Sequence, residues 1–375
     1  MRLLFVTDHL SPHGAQRQLV TLAVELASRG HELGMFLYHS ADFFDDRLQA
    51  AGVDVLRQVK PYRFSPAPVR ALKKHFRSGR WDVVLAFLPT PSLYCILARG
   101  LHHQEPRLVV SERSSYLNPR YGRTWRFISR LYRRADHLVT NSYSMQEYFA
   151  TRFPDSQKHI STIWNGVDLD LFSASPSPSR SNGLRLLGVG RIAEHKNCLV
   201  LAEALGRLRR QGNDHVQVTW VGDLPGSASR TERSYQRCVN DVLRSQGVEA
   251  QWTWRSEGLD MAELLRDHHA LVHPSYVEGL PNVVCESLAC GRPALVSDTL
   301  DHPRLVQPDK TGWLFDWRDP DSLAEAITQL DTAEPQQIEA MGQRTRTFAE
   351  EHLSSARCAD QYEEIFQRLL DTDPR

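Results

Sequence analysis

"HALVHPSYVEGLPNVVCESLACGRPALVSD", His269 to Asp298, is the stretch on which the fold turns. A short apolar run, "HALVHPS", leads into a loop bearing Gly279 and Pro281. An apolar stretch, "PNVVCESLACG", follows and is closed by Gly291 and Pro293, and a second short apolar run, "PALVSD", comes next. Short runs bounded by turn residues read as buried strands, and the longer stretch between them reads as a helix. Strand, helix and strand in succession imply parallel strands joined by a right-handed crossover. The same unit carries two carboxylates, Glu278 in the loop and Glu286 inside the helix.

Outward from this unit the alternation continues. "LRLLGVGR", "VQVTWVGD" and "AQWTWR" read as strands, with "NCLVLAEALGRLRRQG" as a helix. In the first 170 residues "RLLFVTD", "HELGMFLY", "WDVVLAFL", "PRLVVSE" and "ADHLVTNS" read as strands, and "AQRQLVTLAVELASRG" as a helix capped by Gly30. The Ser/Pro-rich "SASPSPSRSNG" between the halves reads as a linker. These readings predict an α/β chain: a Rossmann-like domain at 1–172, a linker at 173–183, a second Rossmann-like domain at 184–355, and a terminal helix at 356–375. Ligands bind beyond the carboxyl ends of parallel strands, so a cleft served by both domains is expected.

The 375 residues carry no formal net charge, but the charge is unevenly spread. Met1 to Phe172 holds 23 Lys and Arg against 15 Asp and Glu, and the remainder is acidic by the same margin. The N-terminal half is therefore expected to face something anionic. Six cysteines without a CxxC pair argue against a structural zinc site and fit a reducing compartment. No apolar run reaches 18 residues, and the opening run breaks at Asp8, so neither a membrane span nor a leader peptide is expected. No GxGxxG opens the first helix of either half, which excludes the usual dinucleotide fingerprint.

The helix after Glu278 offers free N–H groups to the loop "EGLPN", a setting suited to phosphate or sugar hydroxyls. Glu286, about one turn in, suits the vicinal hydroxyls of a ribose. Two carboxylates so placed grip two ends of one nucleotide-sugar. The plain alternative is a surface salt bridge. In "LLGVGRIAEHKN", Leu186 to Asn197, Arg191 and Lys196 follow a strand end and can hold a diphosphate and the charge that develops when it leaves, without a metal. Gly14, in "DHLSPHGAQRQL", permits close approach of a phosphate or acceptor at a helix entrance. Asp168 and Asp170 form a D-x-D that reads as a turn with a helix cap. The doublets His102-His103 and His268-His269 lack metal-ligand spacing.

At these residues the chain resembles glycosyltransferase family 4, with the two-domain GT-B fold. The resemblance covers nearly the whole chain through "GAQRQLVTLAVELASRGHEL", "ADHLVTNS", "IWNGVDLDLF", "GVGRIAEHKN", "WVGD", "HPSYVEGLPNVVCESLACGRPALVSD" and "TGWLF". It implies a retaining transferase that uses a nucleotide-sugar, with UDP-sugars favoured, and needs no metal or other cofactor. It further implies that Glu278, Arg191 and Lys196 act in catalysis and that Glu286, Gly279, Leu280, Pro281, Asn282, Gly14 and Arg255 contact the donor. Asn165 and Gly166 are then the hinge, and the final helix crosses back onto the N-terminal domain. Glu112 and Arg113 stand where many members carry a histidine and are assigned to the acceptor or sugar vicinity. Leu300, Asp301 and Arg304 replace the usual residues of a loop near the nucleotide.

"SERSSYLNPRYGRTWRFISRLYRRAD" carries seven arginines from Arg113 to Arg134, with Trp125, Phe127, Ile128, Leu131 and Tyr132 interleaved and no acid between the first and last of them. A basic amphipathic segment of this kind suits an anionic leaflet or a lipid diphosphate. The expected partners are a nucleotide-sugar donor, a glycan or lipid-linked acceptor and an anionic membrane, with no nucleic acid. The expected location is cytoplasmic, peripheral on the inner face of the membrane, in cell-surface polysaccharide or glycolipid synthesis. A nucleotide-sugar epimerase of the same fold and a non-catalytic sugar-binding module are the alternatives.

Overall fold

The structure, a computed structural model, describes residues 1–100, 106–118, 122–181, 183–222, 230–256 and 260–372. It divides into two compact units: Met1–Gly166 with Ser354–Arg375, and Val167–Leu353. His102 and His103 lie outside the described residues, as does Arg120 of the basic segment.

The first unit holds β1 (Arg2–Thr7), β2 (Glu32–Leu37), β3 (Asp54–Arg57), β4 (Val83–Phe87), β5 (Arg107–Glu112), β6 (His137–Thr140) and β7 (Ile160–Thr162). They form one sheet in the order β3-β2-β1-β4-β5-β6-β7. Every ladder is parallel. The central strands are buried on both faces, which is why they read as continuous apolar runs. Strands β3 and β7 were not expected: as short edge strands they are only half covered and show no such run.

The C-terminal helix, Ser355–Asp371, belongs to this unit and lies against the Gly14–Ser28 helix. Its Cys358, Ala359, Tyr362, Ile365 and Phe366 enter the same core as Leu3, Leu19 and Leu85. Polar contacts fix the register: Arg29 donates to Asp360 at 2.6 Å and to Glu363, and the His31 ring lies 2.5 Å from Glu363. Gly166 permits the approach, since a Cβ there would stand 2.8 Å from the Ser355 Cα.

The second unit holds β8 (Leu184–Val189), β9 (Val216–Val221), β10 (Trp252–Arg255), β11 (Ala270–His273), β12 (Ala294–Ser297) and β13 (Gly312–Phe315). They are ordered β10-β9-β8-β11-β12-β13 and are again all parallel. The Ser/Pro segment expected as a linker falls within this unit. The buried Arg292 guanidinium holds it there, donating to the Ser175 and Pro176 carbonyls at 2.7 and 2.8 Å and also to those of Arg266 and His268. A segment without apolar anchors is thus fastened through its backbone.

Because Phe366 is fully buried, Phe366→Ala should destabilise the first unit by about 3–5 kcal/mol. Urea unfolding is the measurement. An unmoved midpoint would mean that the terminal helix is not docked in solution.

Candidate active site

The site in the second unit begins where β8 ends. Gly190, at φ 150°, follows the strand, and a Cβ there would press on the Lys196 chain at 3.2 Å. A bare Gly190 therefore lets the lysine stem lie across it. The single turn Glu194–Lys196 is tied to the end of the neighbouring strand: the Ser275 hydroxyl and the Tyr276 N–H both donate to the His195 carbonyl, at 3.0 and 3.1 Å. Asn197, left-handed at φ 59°, closes the turn and donates to the Trp317 carbonyl at 2.8 Å. These bonds carry Lys196 from the end of β8 to the end of β11.

There its ammonium donates to Glu278 Oε1. The same oxygen faces His273 Nε2 at 3.1 Å. Burial pushes the Glu278 carboxyl upward, but the Lys196 ammonium and the His273 bond prevail and hold it well below its ordinary range. Burial lowers His273, outweighing the pull of Glu278. A neutral His273 that donates from Nε2 is the form consistent with this pair. Behind it stands His302, its ring 5.5 Å from that of His273 and nearly perpendicular. His302 Nδ1 lies 2.9 Å from the Ser297 carbonyl, and burial with the neighbouring His273 pushes its pKa down to about 4. The Glu278 carboxylate therefore has a cation on one side and an uncharged imidazole backed by a second on the other.

Gly279, Leu280 and Pro281 lead from Glu278 into the Asn282–Ala289 helix. Pro281 occupies the cap position, its carbonyl accepting from Val284 and Cys285, and no side chain caps this end. Glu286 is buried in the helix. Glu278 and the start of this helix are adjacent, as the loop reading requires.

Further site residues named from sequence lie in both units. Arg191, just past the end of β8, is half-exposed and faces Glu232 of the Arg230–Gln246 helix at 3.6 Å. Arg255 ends β10 with an exposed side chain. Gly14 opens a helix of the first unit, so it is not among the second unit's residues. Glu112, also in the first unit, is fully buried. It accepts from Trp125 Nε1 at 2.9 Å, Tyr132 Oη at 3.0 Å and the Arg113 N–H at 3.1 Å, and burial raises its pKa against these bonds. Its carboxylate therefore ties the Arg123–Leu131 helix to β5. Arg113 turns inward too, donating to Asn165 and to Tyr362 at 3.4 Å, its guanidinium 4.8 Å from the Phe87 ring.

The Asp168 carboxylate accepts from the Leu171 N–H at 3.1 Å, as a turn does. His268 and His269 are both packed, and burial lowers each. His273, Ser275 and His302 escaped the sequence reading. The available signal was that His273 ends a strand, and Ser275 follows it, shortly before Glu278.

The description Glycosyltransferase Family 4 matches residues 12–171, and Glycosyl transferases group 1 matches residues 183–332. The GalNAc-alpha-(1->4)-GalNAc-alpha-(1->3)-diNAcBac-PP-undecaprenol alpha-1,4-N-acetyl-D-galactosaminyltransferase of Campylobacter jejuni is 28% identical over 77% of each chain. The GDP-mannose-dependent alpha-(1-6)-phosphatidylinositol monomannoside mannosyltransferase of Mycolicibacterium smegmatis is 26% identical over 92% of this chain and 93% of its own. Among solved structures, Anabaena HepE in complex with UDP superposes with a TM-score of 0.82 at 19% identity, over 98% of this chain and all of that one. At that identity the likeness speaks for the fold, and the fold is the expected α/β GT-B class.

A double-mutant cycle tests the ion pair without any substrate. Lys196→Met alone should destabilise the second unit by about 2–4 kcal/mol, because it leaves a mostly buried carboxylate short of its cation. Adding Glu278→Gln should recover much of that, giving a coupling of about 1–3 kcal/mol in urea unfolding. Glu278 titrates below its ordinary range, so the coupling is full above about pH 5 and is lost only as acid takes the pH below about 4. Strictly additive effects would mean that the pair does not form.

Proposed function

Because this chain belongs to glycosyltransferase family 4, we propose that it is a retaining, metal-independent hexosyltransferase moving a sugar from a UDP-sugar to a glycan or lipid-linked acceptor. The observation that carries this reading is the meeting of Lys196, Glu278 and an uncapped helix start at adjoining strand ends. Lys196 takes the donor diphosphate as a point charge, helped by the N–H groups of the Asn282–Ala289 helix. Arg191 joins by leaving Glu232 for the same anion. Glu278 accepts from the sugar hydroxyls, held in aim by His273. Glu286 accepts from the ribose.

The bond from the anomeric carbon to the diphosphate breaks, and the positive character that develops there is balanced by the cations on the leaving group. The acceptor oxygen bonds the anomeric carbon on the face just vacated. Its proton passes to the departing phosphate oxygen, so no carboxylate nucleophile and no metal enters the step. UDP is favoured because solved neighbours such as HepE hold it. A lipid-linked glycan is favoured because the Campylobacter relative's name carries a PP-undecaprenol acceptor. For this chain such an acceptor puts the proposed reaction in cell-surface polysaccharide or glycolipid synthesis at the cytoplasmic side of a membrane. The basic Arg113–Arg134 segment of the first unit provides the peripheral contact. No helix among the described residues is long and apolar enough to cross a membrane.

The test is a thermal-shift panel of UDP, GDP, ADP and their sugars. UDP should stabilise by about 2–3 kcal/mol at a hundredfold excess over Kd, the shift should vanish in Lys196→Met, and Glu286→Ala should weaken it about tenfold. A shift with GDP alone would overturn the base assignment. No shift with any nucleotide would overturn the donor site.

A further inference from the structure

Three helices of the first unit, Ala67–Arg77, Pro89–Arg99 and Arg123–Leu131, lie side by side on one face of the sheet. Their inner residues, among them Leu72, Phe76, Ile96 and Trp125, share one core. Their outer surface carries no carboxylate, since none of the three helices contains an Asp or Glu.

The first helix exposes Arg70, Lys73, Lys74 and Arg77. The third helix and the turn after it expose Arg123, Arg126, Arg130, Arg133 and Arg134. None of these cations pairs with a carboxylate among the described residues. Elsewhere in the same unit Arg2, Arg29, Arg57 and Arg80 each hold one, and the buried Arg99 that ends the middle helix pairs with Asp136. The nine exposed cations share this one face.

Apolar groups lie among the cations. Leu97 of the middle helix is 50% exposed, and Phe127 is 60% exposed between Arg126 and Arg130. Phe64, in the segment entering the first helix, is 83% exposed. A surface of this size with apolar side chains set among unpaired cations matches an anionic bilayer, whose phosphates meet the charges while its acyl boundary takes the rings. Nucleic acid would use the charges but give Leu97 nothing to enter.

We infer that this three-helix face is the membrane-docking surface. The inference deepens the peripheral contact proposed above in two ways: it brings in the Ala67–Arg77 helix, and it leaves out Arg113, whose guanidinium is turned inward. Docking here would keep the enzyme on the leaflet that carries its acceptor.

The experiment is flotation of the full chain with phosphatidylcholine vesicles and with vesicles containing about one third phosphatidylglycerol. No nucleotide is added, so the result is independent of the donor assignment. Binding is expected only to the anionic vesicles, and it should fall at least about tenfold between 0.1 and 0.5 M salt. The triple variant Lys73→Glu/Lys74→Glu/Arg77→Glu should lose at least about tenfold in partitioning, since each cation near an anionic leaflet contributes on the order of fivefold. Phe127→Ser should lose severalfold, with an unchanged thermal midpoint as the folding control. Full binding by the triple variant would overturn the inference. So would binding to RNA that the triple variant loses while Phe127→Ser keeps it, since that pattern marks a polyanion site without lipid insertion. Absence of binding to either vesicle would overturn it as well.

Discussion

Everything in the second unit depends on the parallel pairing of β8 with β11, which aligns Leu186 with Ala270 and Leu187 with Leu271. Both strands then end at the same edge of the sheet. The turn leaving β8 supplies Lys196, and the loop leaving β11 supplies Glu278. An ammonium and a carboxylate 82 positions apart meet because two strands share a direction and a register. An antiparallel partner would have sent one of the two loops to the opposite edge. Ser275 and Tyr276 strengthen the arrangement by bonding the β8 turn directly to the β11 end.

The same pairing sets the electrostatics. Lys196 and Arg191 each face a carboxylate in this structure, Glu278 in one case and Glu232 in the other. An entering anion must therefore compete with a carboxylate for each cation. A diphosphate has the advantage, because it brings more than one negative charge and can engage both cations together. Glu278 is the group left behind by that exchange, and it loses its strongest partner. His273 then matters most: it is uncharged and buried, and its bond to Glu278 does not depend on Lys196. A second protonated cation at that position would compete with the sugar for the carboxylate, whereas a neutral imidazole aims it.

How much of this was legible in the sequence follows from burial. The strands between two helix layers, such as Val83–Phe87 and Ala294–Ser297, are buried at every position and show as unbroken apolar runs. Asp54–Arg57, Ile160–Thr162 and Gly312–Phe315 lie at sheet edges and span three or four residues, too few for a period to register. Lys196 and Glu278 were each legible as site candidates, because charged residues beside Gly and Pro at strand ends have few structural uses, but their direct pairing was not. His273 was not legible, since a lone histidine in an apolar run carries no sign of what it faces. Glu112 and Arg113 looked alike in sequence as charges following a strand. The structure gives them different surroundings: Glu112 is buried against Trp125 and Tyr132, and the partly buried Arg113 meets Asn165, Tyr362 and the Phe87 ring.

The charge imbalance of the first half acquires a cause at the same level. Some of its cations are matched, as Arg29 is by Glu25, Asp360 and Glu363. Nothing in folding requires the outer faces of three neighbouring helices to lack a single carboxylate. An i to i+4 acid would stabilise the Ala67–Arg77 helix, and Lys74, His75 and Arg77 crowd its last turn instead. Cations in a last turn suit the helix dipole, but the dipole does not explain Arg70, nor Arg123 at the start of the third helix, where a positive charge opposes it. Charge kept where it disfavours the helix is charge held for something outside the fold.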